Sequence, residues 1–240
     1  GGMNIRAGHL HKPARTTDLH ARLEGPVVGQ LLRSFAADWV FTCGEVLETS
    51  YRGPAQVGDV QARGISAGPD ADFDKRRLTL LAAIGSAEHR IRIVTPYFVP
   101  DLTLMASLQM AILKGVQVQI VIPRKSNLRM VNWASLHALR WLVGEGAELY
   151  LSPPPFDHSK VMTVDQHWLM LGSGNWDARS LRLNFELCIE VFSEKFNRKL
   201  SDYFQKQLDQ SSPLDWEKLA ARPIWMRIRN ATAWLFSPYL

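Results

Sequence analysis

Apolar positions change their period along the chain. Residues 18–24 alternate apolar and polar and predict a strand. Gly25-Pro26 then opens a stretch in which Val27, Leu31, Leu32 and Phe35 recur at helical spacing, predicting a helix to about Trp39. Residues 48–70 are rich in Gly, Pro and polar side chains and read as a linker with one short strand near 60–65. A regular alternation follows: helix 72–87, strand 91–97 ended by prolines, helix 102–114, strand 116–123, helix 131–144 stopped by glycines, and strand 148–152. A strand pair at 159–164 and 168–171, a strand at 185–192 and a helix at 194–210 complete the pattern. Helices set between short β-branched strands predict an α/β fold, layered around a largely parallel sheet.

The last stretch, 222–240, mixes Trp225, Ile228, Trp234, Leu235 and Phe236 with Arg227 and Arg229. Basic, tryptophan-bearing amphipathic segments lie in membrane interfaces, and terminal helices of the same pattern pack on their own domain; both readings stand. The composition is that of a globular chain: 240 residues, 46% hydrophobic and 21% charged, enough for a substantial core without disulfides or metals. Cys43 and Cys188 read as free thiols. A net charge of +5 favours anionic partners. No apolar run approaches the roughly 18 to 20 residues needed to cross a bilayer, and the N-terminus shows no signal peptide.

Chemistry concentrates at Asp157-His158-Ser159-Lys160-Val161-Met162-Thr163-Val164-Asp165. Strand parity projects His158 and Lys160 to one face, while Asp165 falls on the other parity, suited to anchoring the turn. Gly172-Ser173-Gly174-Asn175 follows, with Ser173 and Asn175 again sharing a parity and glycines that admit close approach of a ligand. Glu186 sits on the next strand, preceded by Asn184. Together these residues suit metal-free phosphodiester cleavage. The imidazole attacks phosphorus, and Lys160, Ser173 and Asn175 supply donors to the non-bridging oxygens. Glu186 is expected to accept from the second ring nitrogen of His158 and fix its tautomer. His9, His11, His89, His137 and His167 lack such surroundings and read as surface or core residues.

His158-x-Lys160-x4-Asp165, with Gly172-Ser173-x-Asn175 and Glu186, resembles the HKD signature of the phospholipase D superfamily. Within it the chain is most similar to bacterial cardiolipin synthases, through Thr95-Pro96-Tyr97-Phe98-Val99-Pro100-Asp101, Pro153-Pro154-Pro155-Phe156-Asp157-His158-Ser159-Lys160, and the run from Ser173-Gly174-Asn175-Trp176-Asp177 to Asn184-Phe185-Glu186. The resemblance implies a phospholipase D-like α-β-α sandwich with a mostly parallel mixed sheet. Its catalytic set is His158, Lys160, Asp165 and Glu186, with Lys160, Ser173, Asn175 and Asn4 on the phosphate and His20 and Asn184 in support. No cofactor or metal is implied.

Members of the family use two such motifs. Gly1-Gly2-x-Asn4 matches the Gly-Gly-x-Asn that follows the first, and residues 1–4 read as a repeat of 172–175, with His20 near the place Glu186 holds. The expected organisation is therefore a remnant of a first half at 1–47, a linker at 48–70, a complete second half at 71–212 and an amphipathic tail at 213–240. The expected function is phosphatidyl transfer between phosphatidylglycerols through a phosphohistidine, with half of the active site in this chain and His158 favoured as its acid/base. Alternatives are a hydrolytic phospholipase D, a nucleic-acid phosphodiesterase, or a non-catalytic membrane-binding piece. Expected partners are a phosphatidylglycerol-like substrate, an anionic membrane surface and a second copy in a homodimer, with nucleic acid not expected. The expected location is the cytoplasmic side of a bacterial cell membrane.

Overall fold

A computed structural model describes residues 1–2, 16–70 and 72–240. In chain order the elements are α1 (Val27–Cys43), β1 (Gln61–Ala67), α2 (Lys75–Gly85), β2 (Arg90–Val94), β3 (Phe98–Val99), α3 (Leu102–Leu113), β4 (Gln117–Pro123), α4 (Arg129–Gly144), β5 (Glu148–Ser152), β6 (Val161–Val164), β7 (Trp168–Gly172), β8 (Trp176–Asp177), α5 (Ala178–Arg182), β9 (Glu186–Phe192), α6 (Glu194–Gln210), β10 (Ser212–Pro213), α7 (Trp216–Ala220) and α8 (Ile224–Leu235). The α/β layering is as expected. Among the described residues no helix is long and apolar enough to cross a membrane, and Cys43 and Cys188 are free thiols.

Eight strands form one sheet in the order β1-β9-β7-β6-β2-β4-β5-β10. The expectation of a mostly parallel sheet is corrected: in this sheet only β2–β4 and β4–β5 run parallel and its other pairings are antiparallel, while β3 and β8 form a separate parallel pair. The two parallel steps are those made by the crossover helices α3 and α4. The turn between Val164 and Trp168 is too short for a crossover and forces β6 and β7 into a hairpin. The central strands β2, β4, β6 and β7 are almost wholly buried, which is why they read as continuous apolar runs rather than alternating ones.

Side chains leave the two faces of the sheet for two cores. On one face Ile91, Ile93, Ile120 and Met162 meet Leu80 and Ile84 of α2, Leu104 and Leu108 of α3, and Leu139 and Leu142 of α4. On the other, Val94, Val121, Val161, Leu169 and Ile189 meet Leu200 and Phe204 of α6, with Leu31 of α1 at the edge. The strand expected over 18–24 is not formed. Its alternation is nevertheless real, because Leu19, Ala21 and Leu23 all pack against this second core. The strand expected near 60–65 is present as β1 and pairs antiparallel along its whole length with β9.

Asp165 closes the β6–β7 hairpin with a left-handed backbone, φ 50°, a conformation Asp tolerates better than most residues. Its carboxylate accepts from the backbone amides of Glu88, His89 and Arg90 at 3.0, 2.8 and 2.7 Å. The hairpin is thereby stapled to the start of β2. Partial burial opposes ionisation there, but the three amides outweigh it and hold the carboxyl below its ordinary range. Replacing Asp165 by Ala strands three amides and puts an Ala in left-handed backbone, so a loss of about 2 kcal/mol is expected in denaturant titration. Asp165→Asn should lose less. Because the native pKa lies below the unfolded value, the advantage of Asp over Asn should be complete above about pH 4 and vanish as pH falls through the lowered native pKa. An Asp–Asn difference that does not shrink on acidification would count against the staple.

Candidate active site

The site is built where a loop meets the start of β6. Thr17 donates its amide to the Phe156 carbonyl at 2.9 Å, and the His158 amide donates to the Thr17 carbonyl at 2.7 Å. This single parallel bridge is all the ladder that the 18–24 region makes. It lays Asp18 beside His158, with Asp18 Oδ2 and His158 Nδ1 3.3 Å apart and the Asp18 side chain only 4% exposed. An ionised carboxylate only accepts, so Nδ1 carries the hydrogen of this contact. Burial alone would raise the Asp18 carboxyl, but the hydrogen bond from His158 and the charge of Lys160 hold it below the usual carboxylate range.

Here the structure corrects two expectations. The carboxylate on the His158 ring is Asp18, not Glu186. Glu186 Oε1 instead accepts from Ser180 Oγ at 2.6 Å and from Asn184 Nδ2 at 3.2 Å, so Asn184 does support Glu186. His20 does not occupy the place of Glu186: its Nε2 lies 4.0 Å from Asp18 Oδ2, the oxygen that also faces His158, with a half-exposed ring.

Lys160 is 6% exposed, and its ammonium donates back to the His158 carbonyl. Burial pushes it down to about 8, against the pull of Asp18, Glu186, Asp157 and Asp177. Gly2 lies directly over it; a Cβ there would stand 2.9 Å from Nζ. Of the residues expected to mirror 172–175, Gly2 therefore stands at Lys160, and Met3 and Asn4 lie outside the described residues. Asp157, between the two cores, is held by the Ser159 amide at 2.8 Å and by the Tyr203 hydroxyl at 3.0 Å. Burial beside Asp157 pushes the Tyr203 hydroxyl far up, so it stays a donor.

The Gly-Ser-x-Asn corner is fixed from behind. Gly172 sits so close to β9 that a Cβ would meet Cys188 Cα at 2.5 Å, which makes glycine obligatory. The Ser173 hydroxyl accepts from the Leu187 amide at 3.0 Å and donates to the Leu187 carbonyl at 3.5 Å, so it is engaged with β9 in both roles. Asn175 Oδ1 is buried without a hydrogen-bond partner. Arg76, 2% exposed, donates to the carbonyls of Gly174 and Asn175, both at 2.7 Å. The Asn175 amide donates to Ser180 Oγ at 3.0 Å, continuing the chain to Glu186. Asp177 caps α5 through the Ser180 amide at 2.8 Å, and burial lifts its carboxyl to about 6. Asp165, included with the catalytic set by resemblance, lies at the opposite end of β6 from Lys160 and is committed to three backbone amides. Its place is the turn.

Sequence reasoning missed Asp18 and Arg76. Arg76 had a signal: it continues the buried helical stripe of Leu80 and Ile84 one turn toward the N-terminus, where an arginine has to find buried acceptors. Asp18 had none beyond its place in the alternating stretch.

Residues 80–208, more than half of the chain, match the family described as cardiolipin synthase, PLD-like domain. The chain is 31% identical over its whole length to the major cardiolipin synthase of Bacillus subtilis (strain 168), of which it covers 51%. It is 34% identical over its whole length to cardiolipin synthase 2 of Bacillus anthracis, of which it covers 48%. The chain thus spans about half the length of these curated relatives. Among solved structures, phosphatidylserine synthase of Haemophilus influenzae Rd KW20 superposes with a TM-score of 0.61 at 15% identity, covering 87% of this chain and 53% of that one. The phospholipase D family member Nuc of Salmonella typhimurium gives 0.57 at 23% identity, covering 65% and 99%. Both share the layered fold, and the family match holds His158, Lys160, Ser173, Asn175 and Glu186 within its span: the chain belongs to the cardiolipin synthase, PLD-like domain family.

Proposed function

We propose that this chain supplies one half of a phosphatidyltransferase site that joins two phosphatidylglycerols into cardiolipin and releases glycerol. The observation that carries the reading is the buried pairing of Asp18 with His158 beside an equally buried Lys160. With Nδ1 turned to Asp18, proton traffic falls to Nε2, and the carboxylate stabilises the imidazolium whenever Nε2 takes a proton.

Phosphatidyl transfer by this route needs a second histidine from a matching half-site. That histidine attacks phosphorus, forming an N–P bond as the P–O bond to glycerol breaks, and His158 protonates the departing oxygen. In the second step a hydroxyl of the incoming phosphatidylglycerol loses its proton to His158 and attacks phosphorus, and the N–P bond breaks. Lys160 and Asn175 hold the non-bridging oxygens, where the ammonium counts most because it is out of water. Glu186, engaged by Ser180 and Asn184, is left to orient the second histidine as Asp18 orients His158. A lipid substrate and a net charge of +5 fit work at an anionic membrane surface.

Incubation of the full-length protein with phosphatidylglycerol vesicles, read by mass spectrometry, should give cardiolipin and glycerol. Phosphatidic acid without cardiolipin would mean that water, not an alcohol, takes the phosphatidyl group. Asp18→Asn should lower kcat by roughly a hundredfold or more, the range for losing the partner that sets a catalytic histidine's tautomer, with KM little changed. An unaltered kcat would remove Asp18 from the mechanism. The lowered pKa of Lys160 sets a further expectation. A lysine loses its charge as pH rises through its pKa, so kcat/KM should fall about tenfold per unit above about pH 8. A decline that begins only above pH 10 would show Lys160 to be an ordinary solvated ammonium.

A further inference from the structure

The C-terminal helix α8 lies against α4 through Asn230 and Ala233, which are buried. Away from these two residues the helix is apolar and open: Ile224 is 72% exposed, Ile228 60% and Leu235 71%. These fall on one helical stripe, with Trp225, 57% exposed, along its flank. The segment 222–240 carries three arginines, Arg222, Arg227 and Arg229, and no Asp or Glu. Among the described residues no carboxylate pairs with Arg222 or Arg227. Both border a cavity of about 250 Å³ between α8 and α4, which His137, Arg140, Ile224 and Ile228 also line. An apolar stripe this exposed marks an interaction site, and arginines beside a small cavity suit a phosphate ester.

We propose that this face of α8 docks the protein on an anionic lipid bilayer, with a phospholipid headgroup entering the cavity between α8 and α4. The choice of lipid over other anions rests on the phosphatidyl-transfer reading, and the cavity is a second lipid contact apart from His158. A second copy of the chain is the poorer occupant, because a two-fold interface sets the same patch against itself and would bring two patches of like charge together. The exposed aromatic face of α1 gives the contrast. Phe35, Trp39 and Phe41 are open there too, but Asp38, Glu45 and Glu48 stand among them, and an anionic surface repels them. The α8 face is also continuous with the active site. The His158 ring lies 6.2 Å from Phe156 and Phe156 6.3 Å from Tyr97. Tyr97 packs in a small core with Trp133 and Trp234, and the Arg229 guanidinium stands 4.4 Å over Trp133. Docking through α8 therefore places this run of aromatic side chains between the lipid surface and the reacting histidine.

Sedimentation of this chain with phosphatidylcholine vesicles, with and without phosphatidylglycerol, tests the proposal without turnover. Binding should require phosphatidylglycerol and weaken with salt. Arg222→Gln and Arg227→Gln should each lower it roughly five-fold. Ile228→Ser should also lower it, and Phe41→Ser on α1 should leave it unchanged, with melting curves confirming that each variant is folded. The proposal is overturned by binding indifferent to phosphatidylglycerol, by an equal loss in Phe41→Ser, or by inorganic phosphate that releases the chain from vesicles as readily as it is bound. A dimer in light scattering that Ile228→Ser dissociates would make the face a self-interface. Loss of cardiolipin synthesis with vesicle binding intact would sink only the transferase reading.

Discussion

A buried ammonium has to be answered by charge, and Lys160 organises the site on that principle. The carboxylates that pull on it are Asp18, Glu186, Asp157 and Asp177. They come from four separate stretches: the N-terminal segment, the head of β9, the approach to β6, and the β8–α5 junction. Each carboxylate is in turn held by its own donors, among them the Leu19 amide for Asp18, Ser180 for Glu186 and Tyr203 for Asp157. The lysine is thus the point on which segments far apart in sequence agree, and the cost of burying it is offset only when all of them are in place.

This explains why the bridge at Thr17 matters beyond its two hydrogen bonds. It delivers Asp18 to the ring of His158 and to the neighbourhood of Lys160 together. Arg76 does the parallel work at the other corner, tying α2 to the carbonyls of Gly174 and Asn175. A corner built from glycines has little side-chain packing of its own, so its shape depends on such a donor behind it.

How much of this could be read from sequence follows from which signals are local. The helix at 194–210 and the strand at 148–152 are found where periodicity puts them, because one apolar stripe and one buried run decide them. The 18–24 alternation reported burial correctly and hydrogen bonding wrongly: Leu19, Ala21 and Leu23 face the core, but a ladder needs a partner strand, and only Asp157 is offered. The sense of the sheet was misjudged because alternating helices and strands suggest crossovers everywhere, whereas the short 165–167 turn permits only a hairpin. Within the site, His158, Lys160, Asn175 and Glu186 were legible from spacing. Which carboxylate meets the His158 ring was not, since Asp18 and His158 are 140 residues apart and no period links them.

The formal charges carry one more consequence. Around Lys160 and Arg76 stand Asp18, Asp157, Asp177 and Glu186, so with His158 neutral this half-site holds more negative charge than positive. Burial lifts Asp177 only to about 6, which leaves it largely ionised at neutral pH and does not reverse the balance. An anionic phosphodiester approaching these residues alone meets a lysine whose charge is already spent on its own carboxylates. On the proposed function, the further positive charge comes from a matching half-site opposite. On that reading the arrangement favours a phosphate clamped between two such halves over one resting on either.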